Sequence, residues 1–60
     1  MKYTEFERWL KEQGVQIDKK RGKGSHRLAT YGDKSTTYPF HKGKEMKEGM
    51  RKAIIEQLGL

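Results

Sequence analysis

Glycine sets the length of every segment that this 60-residue chain can build. Gly14 follows an amphipathic stretch, Gly22 and Gly24 flank Lys23, Gly32 precedes Asp33, Gly43 lies in the run His41-Lys42-Gly43-Lys44, and Gly59 follows a second amphipathic stretch. Each reads as an end or a turn, so the elements between them are short. The whole length makes one domain, residues 1–60, and a chain of this size buries only about 60% of the surface that its unfolded form exposes. The core is therefore thin. With no cysteine, disulfides, zinc ribbons and thiol nucleophiles are excluded, in keeping with a reducing cytoplasm. No apolar run approaches the ~20 residues needed to cross a bilayer, and the start is no signal peptide, so the reading is soluble, unexported and cytoplasmic.

Thr4 and Glu7 form the pattern of a capping box, which starts a helix near Thr4. Phe6, Trp9, Leu10 and Gln13 then share its inner stripe, leaving Glu5, Glu7, Arg8, Lys11 and Glu12 to water, and Gly14 caps its end. Residues 15–19 alternate apolar with polar as a short strand, 20–24 turn, and 25–31 form a second strand. Gly32-Asp33 predicts a tight hairpin into a third strand over 34–38. Pro39, lacking an amide hydrogen, stops the ladder or marks an edge. A second helix is predicted over 44–58, with Met46, Met50, Ala53, Ile54, Gln57 and Leu58 inward. Gly49 within it costs about 1 kcal/mol against alanine, implying either a close packing contact or a weak turn. The order α-β-β-β-α gives an α+β fold of two layers, a three-stranded antiparallel sheet with two helices on one face. Alternation separates His26, Leu28 and Thr30 from Arg27, Ala29 and Tyr31, and placing Ala29 and Tyr31 under the helices leaves His26 in solvent.

The net charge of +6 is concentrated in the middle of the chain. Residues 19–27 hold Lys19, Lys20, Arg21, Lys23 and Arg27 and no carboxylate. Such a patch attracts phosphates with an affinity that falls as salt rises; the bland reading is a solvated surface. Lys20, Arg21, Lys23 and Arg27 are the candidate phosphate contacts, with His41, Lys42 and Lys44 as a second group where a helix N-terminus would add free N–H groups. RNA carries its own nucleophile, the 2′-hydroxyl, so cleaving it needs a proton acceptor or donor and positive charge near the phosphate. His26 suits the proton work, because imidazole titrates near neutral pH. Ser25 points to the opposite face from His26, which removes a serine nucleophile. His26 and His41 supply only two nitrogen ligands, so no metal is expected, and no cofactor. Gly22-Lys23-Gly24 lacks the spacing of a P-loop.

The helix ending at Gly14, Gly24-Ser25-His26 opening a strand, Pro39-Phe40-His41 closing the hairpin, and the final run Arg51-Lys52-Ala53-Ile54-Ile55-Glu56-Gln57-Leu58-Gly59-Leu60 together resemble the HicA family of bacterial toxins, messenger-RNA interferases of toxin–antitoxin pairs. The resemblance covers almost the whole chain. It implies a fold like the double-stranded-RNA-binding domain, metal-independent endoribonuclease activity on mRNA, and His26 as the essential catalytic residue. It also implies a HicB-type antitoxin that covers His26, with the toxin monomeric alone and hetero-oligomeric with its partner. His41 matches the family's Pro-x-His segment without a catalytic role attached. Phe40, where a basic or small residue is common, and the lysine-rich turn depart from the pattern. The rival is a non-catalytic double-stranded-RNA binder of the same topology, which would use Lys42, Lys44 and Lys47 on the phosphates. A third reading has the basic face dock an acidic protein.

Overall fold

The computed structural model describes residues 1–20 and 25–60; Arg21, Gly22, Lys23 and Gly24 of the expected basic turn lie outside the described residues. Helix α1 spans Tyr3–Glu12 and buries Tyr3, Phe6 and Leu10, which recur on one side as a 3.6-residue period requires. Its cap differs from the Thr4–Glu7 box. The carboxylate of Glu5 accepts the Lys2 backbone N–H at 2.8 Å, so the cap sits two residues earlier, at Lys2. Glu7 is not in water but buried with the apolar stripe, because Arg27 reaches it from the sheet. At the other end Gly14 takes a φ of 95°, and the Val15 N–H turns back to the Leu10 carbonyl at 3.0 Å. That left-handed step aims the chain into the sheet.

Strands β1 (Gln16–Asp18), β2 (His26–Tyr31) and β3 (Lys34–Pro39) form one antiparallel sheet in the order β1-β2-β3. β1 is shorter than expected: Val15 is buried beneath α1, and Asp18 accepts the Lys20 N–H at 2.8 Å, which turns the chain away. The hairpin closes on the pair Tyr31↔Lys34 with Gly32 at a φ of 62°, the positive value that a two-residue connection needs at its first position. Pro39 ends an edge strand, where its missing N–H costs no ladder bond. Register places Ile17, Ala29 and Thr36 in one row, with Arg27 opposite Tyr38. Arg27, Ala29 and Tyr31 therefore lie on the helix-covered face. His26, Leu28 and Thr30 share the open face with their partners Pro39, Thr37 and Ser35.

Helix α2 spans Glu48–Leu58 and starts later than the apolar pattern predicts. The preceding residues are claimed by the start of the chain: Lys2 and Glu45 form an antiparallel bridge, the Tyr3 N–H donates to the Lys44 carbonyl at 3.2 Å, and the Met46 N–H donates to the Met1 carbonyl at 2.9 Å. Backbone groups used across the chain cannot also close a helical turn. Met46 remains buried, as do Ile54 and Leu58, but Ala53 and Gln57 are exposed. Gln57 instead accepts the Thr36 hydroxyl at the helix–sheet boundary. Nothing lies within 4 Å of where a Gly49 side chain would begin, so no packing contact requires that glycine. Both helices cover the same face, and Tyr3, Phe6, Leu10, Val15, Ala29, Tyr38, Met46, Ile54 and Leu58 fill the space between.

Candidate functional site

His26 is the first residue of β2, on the open face, with an exposed side chain. It pairs with Pro39, and one step beyond the strand the Phe40 N–H donates to the Ser25 carbonyl at 2.9 Å. That bond holds the backbone just before the histidine. Next to it on the same face, Leu28 is half-buried and lines a shallow groove of about 450 Å³ with Gln16, Asp18, Lys20 and Thr30. His26 thus shares the open face with this groove, to which Lys19 and Lys20 contribute positive charge.

Directly behind the histidine, on the opposite face, Arg27 is built into the fold. Its Nη1 lies 2.6 Å from both carboxylate oxygens of Glu7, and its guanidinium carbon stands 3.6 Å over the Phe40 ring. The Tyr38 hydroxyl donates to Glu7 at 3.0 Å, and the Lys11 ammonium stands 3.8 Å from the same carboxylate. The Glu7 and Arg27 side chains are only 8% and 18% exposed, so each neutralises the other where water cannot. Burial pushes the Tyr38 phenol far above its ordinary 10.0; the Glu7 charge and the hydrogen bond to it push the same way, and Arg27 opposes them. The phenol thus stays a donor. Glu7 is the residue that sequence reasoning missed. Its signal was position: with Tyr3, Phe6 and Leu10 it completes the i, i+3, i+4, i+7 stripe of α1.

His41, Lys42 and Lys44 are exposed in the loop after β3. They sit against the start of α1, not at the N-terminus of α2: the His41 ring meets the edge of Tyr3 at 5.3 Å. Lys42 lines a cleft on the helix side of the sheet. The expected phosphate contacts are thus divided. Lys20 shares the open face with His26, Lys42 faces the helix side, Arg27 is held by Glu7, and Arg21 and Lys23 fall outside the described residues. Among the described residues no group of three or more His, Cys, Asp or Glu side chains converges as a metal site.

A thin α+β domain with an imidazole displayed on its uncovered sheet face and lysines on both sides of the sheet is a small cationic module. The family model described as HicA toxin of bacterial toxin–antitoxin matches residues 3–60. The chain belongs to this family of toxins. It is 57% identical to "Probable mRNA interferase HicA" of Pseudomonas fluorescens strain Pf0-1, over all of this chain and 97% of the relative. It is 47% identical to "Probable mRNA interferase toxin HicA" of Escherichia coli strain K12, over all of this chain and 98% of that protein. A chain in the crystal structure of the E. coli HicAB toxin–antitoxin complex superposes with a TM-score of 0.83 at 38% identity, covering 97% of this chain and 96% of that one.

Proposed function

We propose that residues 1–60 act as one metal-independent endoribonuclease that cuts mRNA in the cytoplasm and is neutralised by a HicB-type antitoxin. The observation that carries this is the exposed His26 beside a cation-lined groove on the open face, in a chain whose relatives are named mRNA interferases. RNA laid along that face brings a ribose to the imidazole. His26 takes the 2′-hydroxyl proton, the 2′-oxygen bonds to the adjacent phosphorus, and the bond to the 5′-oxygen breaks. The leaving oxygen takes a proton from water, a lysine or His41, and the 2′,3′-cyclic phosphate remains. His26 acting instead as the acid uses the same geometry in reverse. Because the nucleophile belongs to the substrate, the protein supplies proton transfer, charge and placement.

The antitoxin reading is supported by the similarity to a chain of the E. coli HicAB complex. A partner seated on the open face would cover His26 and exclude RNA in one step. Lys20, Arg21, Lys23, Lys42 and Lys44 remain the phosphate contacts of the proposal, while Arg27 serves it by fixing β2 from behind.

The test is His26→Ala. Cleavage of an mRNA substrate should fall by about 10²–10⁴-fold, the usual contribution of a placed acid or base, with melting temperature and antitoxin affinity close to wild type. Cleavage retained by the variant overturns the assignment. Protection of duplex RNA without any cutting by the wild-type chain identifies the non-catalytic binder instead.

A further inference from the structure

On the helix-covered side of the sheet, α1, the end of β1 and the loop after β3 enclose a cleft of about 410 Å³. Arg8, Lys11, Lys19 and Lys42 line it, together with Arg27 and Glu7. Glu7 is the one carboxylate among these residues, and it is already engaged by Arg27 at 2.6 Å and by Tyr38 at 3.0 Å. Among the described residues, Arg8, Lys19 and Lys42 make no ion pair, and Lys11 makes only the long contact of 3.8 Å to Glu7. Cations gathered round a concavity with an aromatic wall, here Phe40, repel one another and focus a positive potential into it. An anion relieves that repulsion.

Lys19 lines this cleft and also the groove beside His26 on the other face. The two concavities therefore meet at the end of β1, where the Asp18 turn brings Lys19 and Lys20 together. A polymer with a phosphate at every unit is a ligand continuous enough to engage both, since they share Lys19.

We propose that the cleft is a second phosphate-binding subsite for single-stranded RNA, in which Arg8, Lys11, Lys19 and Lys42 hold the backbone flanking the stretch presented to His26. It rests on the ribonuclease reading for its purpose, yet as a binding site it can be tested without any cleavage. Arg8 and Lys11 are additions that the basic turn does not suggest, because they come from the outer face of α1.

The experiment is a salt series of equilibrium binding, using a fluorescein-labelled single-stranded RNA and full-length protein carrying His26→Ala so that the probe survives. Adding Arg8→Gln and Lys11→Gln, which line the cleft and not the groove beside His26, should weaken binding at low salt and flatten the plot of log affinity against log salt by about 0.7 for each phosphate no longer held. A control with the same charge change, Lys34→Gln with Lys52→Gln, should move that slope far less, and melting temperatures verify that all proteins are folded. Equal slopes for the cleft and control pairs overturn the proposal. An unchanged RNA slope with a weakened antitoxin complex also overturns it, assigning the cleft to protein docking. Failure of the otherwise wild-type chain to cut RNA counts against the ribonuclease reading alone, and the slope still decides the cleft.

Discussion

Glu7 carries more of the fold than any other single charge, because a buried carboxylate is tolerated only while its partners stay in place. Breaking a buried ion pair costs about 3–5 kcal/mol, and the 18% exposure of Arg27 places this one near the lower end. A domain of this length has only about 3–9 kcal/mol to lose. Glu7→Ala should therefore lower stability by about 3 kcal/mol, read as a shifted midpoint in urea, and leave a substantial unfolded fraction at 37 °C. Replacing both partners, Glu7→Leu with Arg27→Met, should recover much of that loss, since no charge is then left buried; a double variant as unstable as Glu7→Ala would contradict this account. The neighbouring phenol gives a pH signature. Tyr38 is raised above its ordinary value of 10.0 in the folded chain, so below that pH both folded and unfolded forms keep the proton. Above it the unfolded form releases the proton first, and stability falls with rising pH. Tyr38→Phe should lower the melting temperature at pH 7, by removing the hydrogen bond to Glu7, and flatten its decline above pH 10.

Elements whose limits are set by local chemistry were legible in the sequence, and those set by distant partners were not. Gly14, the Gly32 hairpin and the Gly59 cap each fix a boundary within a few residues, so the order α-β-β-β-α follows from them. The onset of α2 does not, because Lys44 and Met46 are held by Tyr3 and Met1, at the other end of the chain. The open-face position of His26 was readable from alternation once Ala29 was placed under the helices. The same alternation set Arg27 on the helix side, but its engagement there was hidden because its partner, Glu7, looked like a surface residue by type. Likewise the basic turn drew attention to Lys20, and the loop after Pro39 to Lys42, but neither pointed to Arg8 and Lys11, whose convergence with Lys19 depends on how α1 crosses the sheet. Gly49 offers a test at this scale. It sits in the first turn of α2 with open space around it, so Gly49→Ala should stabilise by about 0.5–1 kcal/mol by restricting the unfolded chain. That corresponds to a rise of about 2–8 °C in melting temperature; a fall would mean that the glycine answers a need the helix geometry does not reveal.

At the scale of the whole molecule, a net charge of +6 on 60 residues makes folding and ligand binding respond to salt in opposite directions. Like charges at the surface repel across the compact state, and added salt screens that repulsion. The Glu7–Arg27 pair, being mostly buried, is screened much less, so it does not reverse the trend. Raising salt from about 50 to 200 mM, which shortens the Debye length from about 14 to about 7 Å, should therefore raise the melting temperature of the isolated chain slightly. The same change should weaken RNA binding steeply, because counterions released from the RNA gain less entropy in a saltier solution. A partner that binds only the folded chain adds a third, separable response: at a concentration of 100 times its dissociation constant it contributes about 2.7 kcal/mol, or about 11–22 °C for a domain of this size. Thermal melts of the chain alone and with a HicB-type antitoxin, each at both salt concentrations, measure these responses together. A melting temperature of the isolated chain that falls as salt rises would mean that its surface charges attract on balance, and the cation-rich face would then have to be sought in a different arrangement of the same residues.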